Sequence, residues 1–289
     1  MSVDKWLEKA MISLERGDWY DSLESFQGAL FRAIKQKNFE EAQELFRRAI
    51  SEFEKHSLFK EIEKMAGYFL QLATKIGREP QAIATVFEAG RTLMEHGTYL
   101  PAIETLKLVA QKSEGGVEDI QEAIASSFEK LAEATDSKQE GILFKEQGAL
   151  YYILANNVKK GRQIFGKLAE GGDIKHSCYA VMAALIEGDT TEGKGILEGL
   201  GKIKGFIGKR QLGKDPYYSF AERAEKTYIK QDTATYMTLF DEYRQLLARD
   251  KILERLARIL IKQFPRMEPP GFPGFPGMPF GGGFDFPPE

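Results

Sequence analysis

Cysteine, proline and long apolar runs are all scarce in this sequence, and each scarcity removes a class of protein. Cys178 is the one cysteine among 289 residues. No internal disulfide is open to the chain, which excludes a small stapled scaffold and fits a reducing, cytoplasmic setting. The longest unbroken apolar run, Cys178 to Ile186, covers nine residues, about half of the roughly 20 that cross a bilayer. The opening Met1-Ser2-Val3-Asp4-Lys5-Trp6 is charged and shows no signal-peptide core. A dominant charge is missing too. With 40 Lys+Arg against 43 Asp+Glu the net charge is −3, so there is no global basic field to draw in DNA, RNA or an anionic membrane.

Proline is confined as well as scarce. Of eleven, only Pro80, Pro101 and Pro216 precede position 265. Up to position 264 the apolar residues recur at helical spacing, as in Trp6, Leu7, Ala10, Met11 and Leu14, or Phe220, Ala224, Tyr228 and Ile229. No period-two run bounded by turns is present, so no strand is expected. Breakers and caps come at regular intervals: Gly17-Asp18, Lys37-Asn38, His56-Ser57, Glu79-Pro80, Gly97-Thr98, Asn156-Asn157, Gly172-Asp173, Gly188-Asp189, Asp215-Pro216, Asp232 and Asp250. Asp, Asn and Ser suit these places because their oxygens accept the unpaired N–H groups of a helix start. The pattern predicts an all-α body, residues 1–264, of about fourteen helices of roughly 12–20 residues.

A weak repeat runs through that body. Trp19, Phe39, Tyr99, Val158 and Thr190 each open a helix. Three residues on stands a small residue (Ser22, Ala42, Ala102, Gly161, Gly193), and seven on a large apolar one (Phe26, Phe46, Leu106, Phe165, Leu197). Ten on come Ala29, Ala49, Val109, Leu168 and Leu200. A small residue lets a neighbouring helix approach while the later positions interlock, the logic of a tetratricopeptide-like α-solenoid.

Residues for chemistry are thin. His56, His96 and His176 are far apart and lack partners at metal-ligating spacing, so they read as surface or capping residues, and no metal or cofactor is expected. Cys178, within an apolar run, reads as a core residue rather than a nucleophile. Gly188 to Gly195 and Gly208 to Asp215 both fit Gly-x4-Gly-Lys. Neither has the Ser or Thr that holds magnesium, and no preceding strand is expected, so a phosphate loop is rejected. The stretch reads instead as a short, imperfect helix and a loop. Lys202, Lys204, Lys209, Arg210 and Lys214 fall there within thirteen residues without an acid; such a loop is either simply solvated or a docking patch for an acidic partner.

Residues 265–289 differ from everything before them, with eight Pro, six Gly and five Phe. Proline and glycine forbid a helix, so a disordered tail is expected. Phe272, Phe275, Met278, Phe280, Phe284 and Phe286 are more than a solubilising linker needs. They suit weak capture of an apolar groove, or packing back on the solenoid's own concave face.

Two blocks resemble a known family. Gly17-Asp18-Trp19-Tyr20-Asp21-Ser22, Phe31-Arg32 and Lys37-Asn38-Phe39-Glu40-Glu41-Ala42-x-Glu44-Leu45 resemble the opening of the Get-four proteins, scaffold subunits of the guided-entry pathway for tail-anchored membrane proteins. Leu239-Phe240-x-x-Tyr243, Leu247, Arg249-Asp250, Leu256, Ile259 and Phe264-Pro265 resemble that family's last two helices. Trp19 and Ser22 depart from the family's Tyr and Ala, Lys251 stands where it has proline, and the middle, from about 80 to 215, matches only as generic helical repeat. The resemblance implies a non-enzymatic scaffold. Its N-terminal helices would bind an ArsA-like targeting ATPase, and its C-terminal half a ubiquitin-like adaptor or chaperone. Carried onto this chain, with Trp19, Ser22, Leu23, Phe26, Ala29, Leu30 and Ala33 turned to the core, the ATPase face comprises Tyr20 and Phe31 with Arg16, Asp18, Arg32, Lys35 and Lys37 around them. Tyr20 and Phe31 either meet a partner or pack on the first helix. The segment from Tyr236 to Phe264 also resembles SNAP-like adaptors of a membrane-fusion ATPase, although Arg255, Arg258, Lys262 and Arg266 oppose the acidic end such adaptors carry.

Overall fold

The computed structural model describes residues 1–113 and 115–264, without the side chains of 203–211. The described residues form fifteen α-helices and no strand. The first eight are α1 (Val3–Arg16), α2 (Trp19–Lys35), α3 (Phe39–Lys55), α4 (Phe59–Lys75), α5 (Glu79–Glu95), α6 (Tyr99–Lys112), α7 (Glu118–Ala134) and α8 (Lys138–Leu154). They are followed by α9 (Val158–Ala169), α10 (Ile174–Glu187), α11 (Thr190–Leu212), α12 (Pro216–Ile229), α13 (Thr233–Glu242), the short α14 (Arg244–Arg249) and α15 (Lys251–Ile261). The expected tail and its residues Phe272, Phe275, Met278, Phe280, Phe284 and Phe286 lie outside the described residues.

One turn, used repeatedly, sets the register. Gly17, Lys37, Ser57, Gly77 and Gly97 stand twenty residues apart in the left-handed region, with φ between 56° and 80°. The residue after each returns its N–H to a carbonyl five residues back: Asp18 to Ser13 at 2.9 Å, Asn38 to Ala33 at 3.0 Å, Leu58 to Phe53 at 2.8 Å, Arg78 to Ala73 at 2.9 Å and Thr98 to Leu93 at 2.8 Å. This is a Schellman closure, which satisfies carbonyls the helix end would leave bare. The same residue is already the N-cap of the next helix. Helix end and helix start therefore share one residue, and the connection is two residues long between α1 and α2 and three at each of the next four. At Asn38 the side chain completes the cap, accepting from the Glu41 N–H at 3.1 Å.

Short turns of one kind stack consecutive helices antiparallel. Helices α2, α4 and α6 touch in one layer and α3, α5 and α7 in the other, giving a two-layer helical solenoid with a period of about forty residues per pair rather than the 34 of tetratricopeptide repeats. Trp19, Phe39, Tyr99, Val158 and Thr190 all begin helices, and the small and large repeat positions are buried at all five, except that Leu168 is half-buried. Between the layers Phe46 stacks on Phe69 with ring centroids 4.7 Å apart, and Phe26 meets Phe53 edge-on at 5.4 Å. Trp19 is a correction: it is 38% exposed, lies 5.6 Å from the His56 ring and forms no part of the core. As the first residue of α2 it precedes the turn that α1 covers.

The buried residues fall into two clusters that meet on α8, where Tyr151 and Tyr152 face the first and Ala149, Leu150 and Ile153 the second. At that seam Tyr152 donates to Glu129, and Lys160 reaches both, Glu129 at 2.8 Å and the Tyr152 hydroxyl at 2.6 Å, tying α7, α8 and α9. Burial and the Glu129 carboxylate push the Tyr152 phenol up to about 12. Beyond the seam the regular register ends. Helix α10, buried from His176 through Ile186, is packed by α9, α11, α12 and α15. Cys178 sits in it at 1% exposure as a core residue, its thiol pushed up by burial.

Two further expectations are corrected here. The stretch 188–213 is not a loop: α11 runs as helix from Thr190 to Leu212. Each interior glycine costs about 1 kcal/mol relative to alanine, but Leu197, Leu200 and Leu212 are buried and the helix is held against α10 and α12. Tertiary packing thus outweighs local preference. His176 is not a surface residue: it is buried, with Nε2 2.8 Å from Glu146 Oε1 and Nδ1 2.9 Å from Asp173 Oδ1. Lys175 reaches the same Glu146 oxygen at 2.8 Å. Burial alone would raise the Glu146 carboxyl, but the hydrogen bonds from His176 and Lys175 prevail and lower it. Among the described residues no helix is long and apolar enough to cross a membrane.

Candidate partner-binding surface

Helix α1 leaves one side of α2 open. The two cross at Gly28, where an added Cβ would stand 2.9 Å from the Trp6 ring, so only glycine permits this approach. With α1 seated there, Tyr20 stays 67% exposed and Phe31 48%. The alternative in which both pack against α1 is thereby excluded. Eleven residues separate them, three helical turns, so they lie on one stripe about 17 Å apart. Glu24, one turn from Tyr20, holds its phenol above the ordinary value.

The structure divides the expected ATPase face into two ends. Arg16, Asp18 and Tyr20 gather at the α1–α2 turn. Phe31, Arg32, Lys35 and Lys37 gather at the far end of α2, about 25 Å away at 1.5 Å per residue. Arg16, Asp18, Lys35 and Lys37 are exposed, while Arg32 is half-buried with its Nε unpartnered. Among the described residues no carboxylate pairs with Arg16, Lys35 or Lys37.

The second end has a cleft that motif reading missed. Ile34, Lys37, Phe39, Ile76 and Arg78 enclose about 310 Å³. Its walls carry two cations over apolar side chains and no acid. The forty-residue period explains the pairing: α2 and α4 lie side by side, so the turn at 36–38 meets the turn at 76–78. The signal was present in the sequence as Gly77 repeating the place of Lys37, but nothing in the residue types singled out Ile76 or Arg78.

The other expected docking residues are less coherent. Lys202 is exposed on α11 and Lys214 is exposed just beyond its end. The side chains of Lys204, Lys209 and Arg210 lie outside the described residues. With Lys202, Lys204, Lys209 and Arg210 within α11 and Lys214 just beyond it, this group is not the docking loop expected from its glycines.

Among the described residues no group of three or more His, Cys, Asp or Glu is arranged to hold a metal ion. Clusters of ionisable groups such as the Glu146–His176–Lys175 set and Asp250 with Tyr179 and Tyr217 tie helices together. No family model matches the chain, and no curated protein proved similar to it.

Proposed function

We propose that the chain is a non-enzymatic scaffold of the tail-anchored protein targeting kind, binding an ArsA-like ATPase through α2 and the turns beside it, and a second adaptor or chaperone through its C-terminal half. The observation that carries this reading is the open stripe of α2, where Tyr20 and Phe31 are exposed beside the exposed cations Arg16, Lys35 and Lys37. Aromatic residues and arginine are enriched at protein-binding interfaces, with charged side chains at the rim. The two sequence blocks that resemble Get-four proteins supply the identity of the partner. Within the first block, Gly17-Asp18 and Lys37-Asn38 serve the helix turns, and Tyr20 and Phe31 are exposed aromatic residues outside those turns. A cytoplasmic location follows from this role.

The test is capture from native cytosol by the tagged full chain, with and without ATP, read by mass spectrometry. Nucleotide-dependent enrichment of an ArsA-like ATPase that falls at least tenfold in Phe31→Ser/Lys35→Glu is the expected result. Recovery of a hexameric membrane-fusion ATPase, or enrichment unchanged by that double substitution, overturns the reading.

A further inference from the structure

Helices α9, α10 and α11 leave between them an open groove of about 480 Å³ whose wall is unusually short of side chains. Gly166, Ala169, Gly171, Gly172, Ser177, Ala180 and Gly199 line it, with Ile196 and Leu200 as its larger apolar members. A Cβ added at Gly166, Gly171 or Gly199 would meet nothing within 4 Å. Gly166 and Gly199 are therefore not there to let the helices approach, and they leave space open, whereas Gly171 and Gly172 hold φ 87° and 84° in the turn between α9 and α10. Polar groups are held to the ends. At one, Arg162 pairs with Glu187 at 2.7 Å and lies 3.5 Å from Glu192; at the other stand Glu170 and Ser177. From Glu192 to Leu200 the groove follows α11 for eight residues, about 12 Å.

The chain carries a segment that matches this space. Residues 271–279 read Gly-Phe-Pro-Gly-Phe-Pro-Gly-Met-Pro, three triplets in which every third residue is apolar and large. Proline-rich triplets favour the polyproline II helix, three residues per turn at about 3.1 Å each. Phe272, Phe275 and Met278 then share one face at steps of about 9 Å, so two successive side chains fit a groove of about 12 Å. Proline has no N–H to leave unpaired, which suits a wall offering few acceptors, and a preformed extended helix loses little entropy on docking.

Connectivity favours this occupant over a foreign one. Gln263 Nε2 bonds the Ile186 carbonyl at 2.6 Å, so the chain leaves the fold beside the C-terminal end of α10. Ala180, on the groove floor, is six residues back along that helix, about 9 Å. The seven residues 265–271 span up to about 23 Å when extended, enough to bring Phe272 into the groove. So short a tether supplies an effective concentration on the order of millimolar. We propose that residues 272–275 of this chain's own C-terminal segment dock as a polyproline II strand in the groove between α9, α10 and α11.

The test uses the full chain carrying Gly282→Cys and a nitroxide on that cysteine; Cys178, 1% exposed, stays unlabelled. Amide signals of Gly166, Ala169, Gly171 and Gly199 are expected to broaden several-fold more than those of α2 to α6, and to stay broadened on tenfold dilution. The contrast is expected to disappear in Phe272→Ser/Phe275→Ser/Met278→Ser. It is likewise expected to disappear in Gly166→Leu, which fills the groove from a position with room for a side chain. Even broadening over the whole chain, broadening that survives the triple substitution, or loss on dilution (the mark of a second copy) each overturns the proposal.

Discussion

Tyr179 and Asp250 stand 71 residues apart in the chain, and the Tyr179 hydroxyl donates to Asp250 Oδ2 at 2.5 Å. The same oxygen accepts from the Tyr217 hydroxyl at 2.9 Å, while Oδ1 caps α15 by accepting from the Leu253 N–H at 2.9 Å. One carboxylate, 8% exposed, thus starts α15 and fastens it to α10 and α12. Asp250→Ala removes the cap and leaves two phenols without their acceptor. A loss of about 3 kcal/mol is expected, read as a lower urea midpoint and early hydrogen exchange in α15. Tyr179→Phe is expected to cost about half of that. Equal stability of Asp250→Ala and the natural chain would show that the network ties nothing.

The tyrosines give the C-terminal half an alkaline limit. Burial first, and then hydrogen bonding to Asp250, raises Tyr179 and Tyr217 above the ordinary 10.0; burial raises Tyr236. A raised pKa in the folded state means the neutral phenol is favoured there. The stabilisation is complete below about pH 10 and is lost as pH climbs from that value toward the folded pKa. Amides of α10, α12 and α15 are expected to lose protection above pH 10 before those of α2 to α6, together with a cooperative rise in tyrosinate absorbance. A smooth titration with no loss of protection would contradict this.

Acid acts on the same half through Glu146, with the opposite sign. Its carboxyl is lowered below the ordinary 4.5 by His176 and Lys175, so the stability it adds is present above that value and is lost as pH falls through the lowered folded pKa. Glu146→Gln is expected to flatten the acid limb of a stability–pH curve. An unaltered acid limb would assign acid unfolding to other carboxylates.

Glycines in the helices are expected to behave in opposite ways. At Gly161 a Cβ would lie 2.6 Å from the Ala149 carbonyl oxygen, so α8 and α9 touch only because it is glycine. Gly161→Ala is expected to destabilise by about 1–3 kcal/mol, as overpacking does. At Gly67, inside α4, a Cβ meets nothing within 4 Å, and Gly67→Ala is expected to stabilise by up to about 1 kcal/mol. Thermal melts of the two variants decide the matter, and a shift of the same sign in both would refute it.

The turn itself predicts a further gain. Ser57 holds φ 56°, where Gly17, Gly77 and Gly97 hold 69° to 80° at the equivalent places. A side chain in this region costs about 1–2 kcal/mol, partly offset by the greater freedom of glycine when unfolded. Ser57→Gly is expected to raise the stability of the α3–α4 pair by about 0.5 kcal/mol. A lower melting temperature would mean that Ser57 is held there by something other than backbone geometry.

Much of this fold is readable from residue types because its turns are local. Asn38, Asp173, Asp215, Asp232 and Asp250 cap their helices with side-chain oxygens as the sequence suggests, since capping needs only neighbours along the chain, whereas Asp18 holds the N-cap place without a side-chain bond. The full twenty-residue register was harder to see. Helix α4 reverses the size order of the other repeats, with Ile62, Ala66 and Phe69 where α3 has Ala42, Phe46 and Ala49. Helices that must interlock put their large residues where a neighbour has small ones. Of the candidate surface, the phase of α2 turned Tyr20, Phe31 and Lys35 away from its core face but left open whether α1 covers them, and nothing in the residue types pointed to Arg78 and Ile76. Forty residues of chain separate those two from Lys37, and only stacking brings them together.

By itself, the sequence determined the helical class, most helix boundaries and the burial of Cys178, because periodicity and capping are properties of adjacent residues. The tertiary structure alone decided that Trp19 is exposed, that the glycine-rich stretch from Thr190 to Leu212 is helix, that His176 is buried against Glu146, and that Tyr20 and Phe31 face outward. Each of these turns on what a neighbouring helix covers. That depends on free energy gained between segments distant in the chain, which no local pattern records.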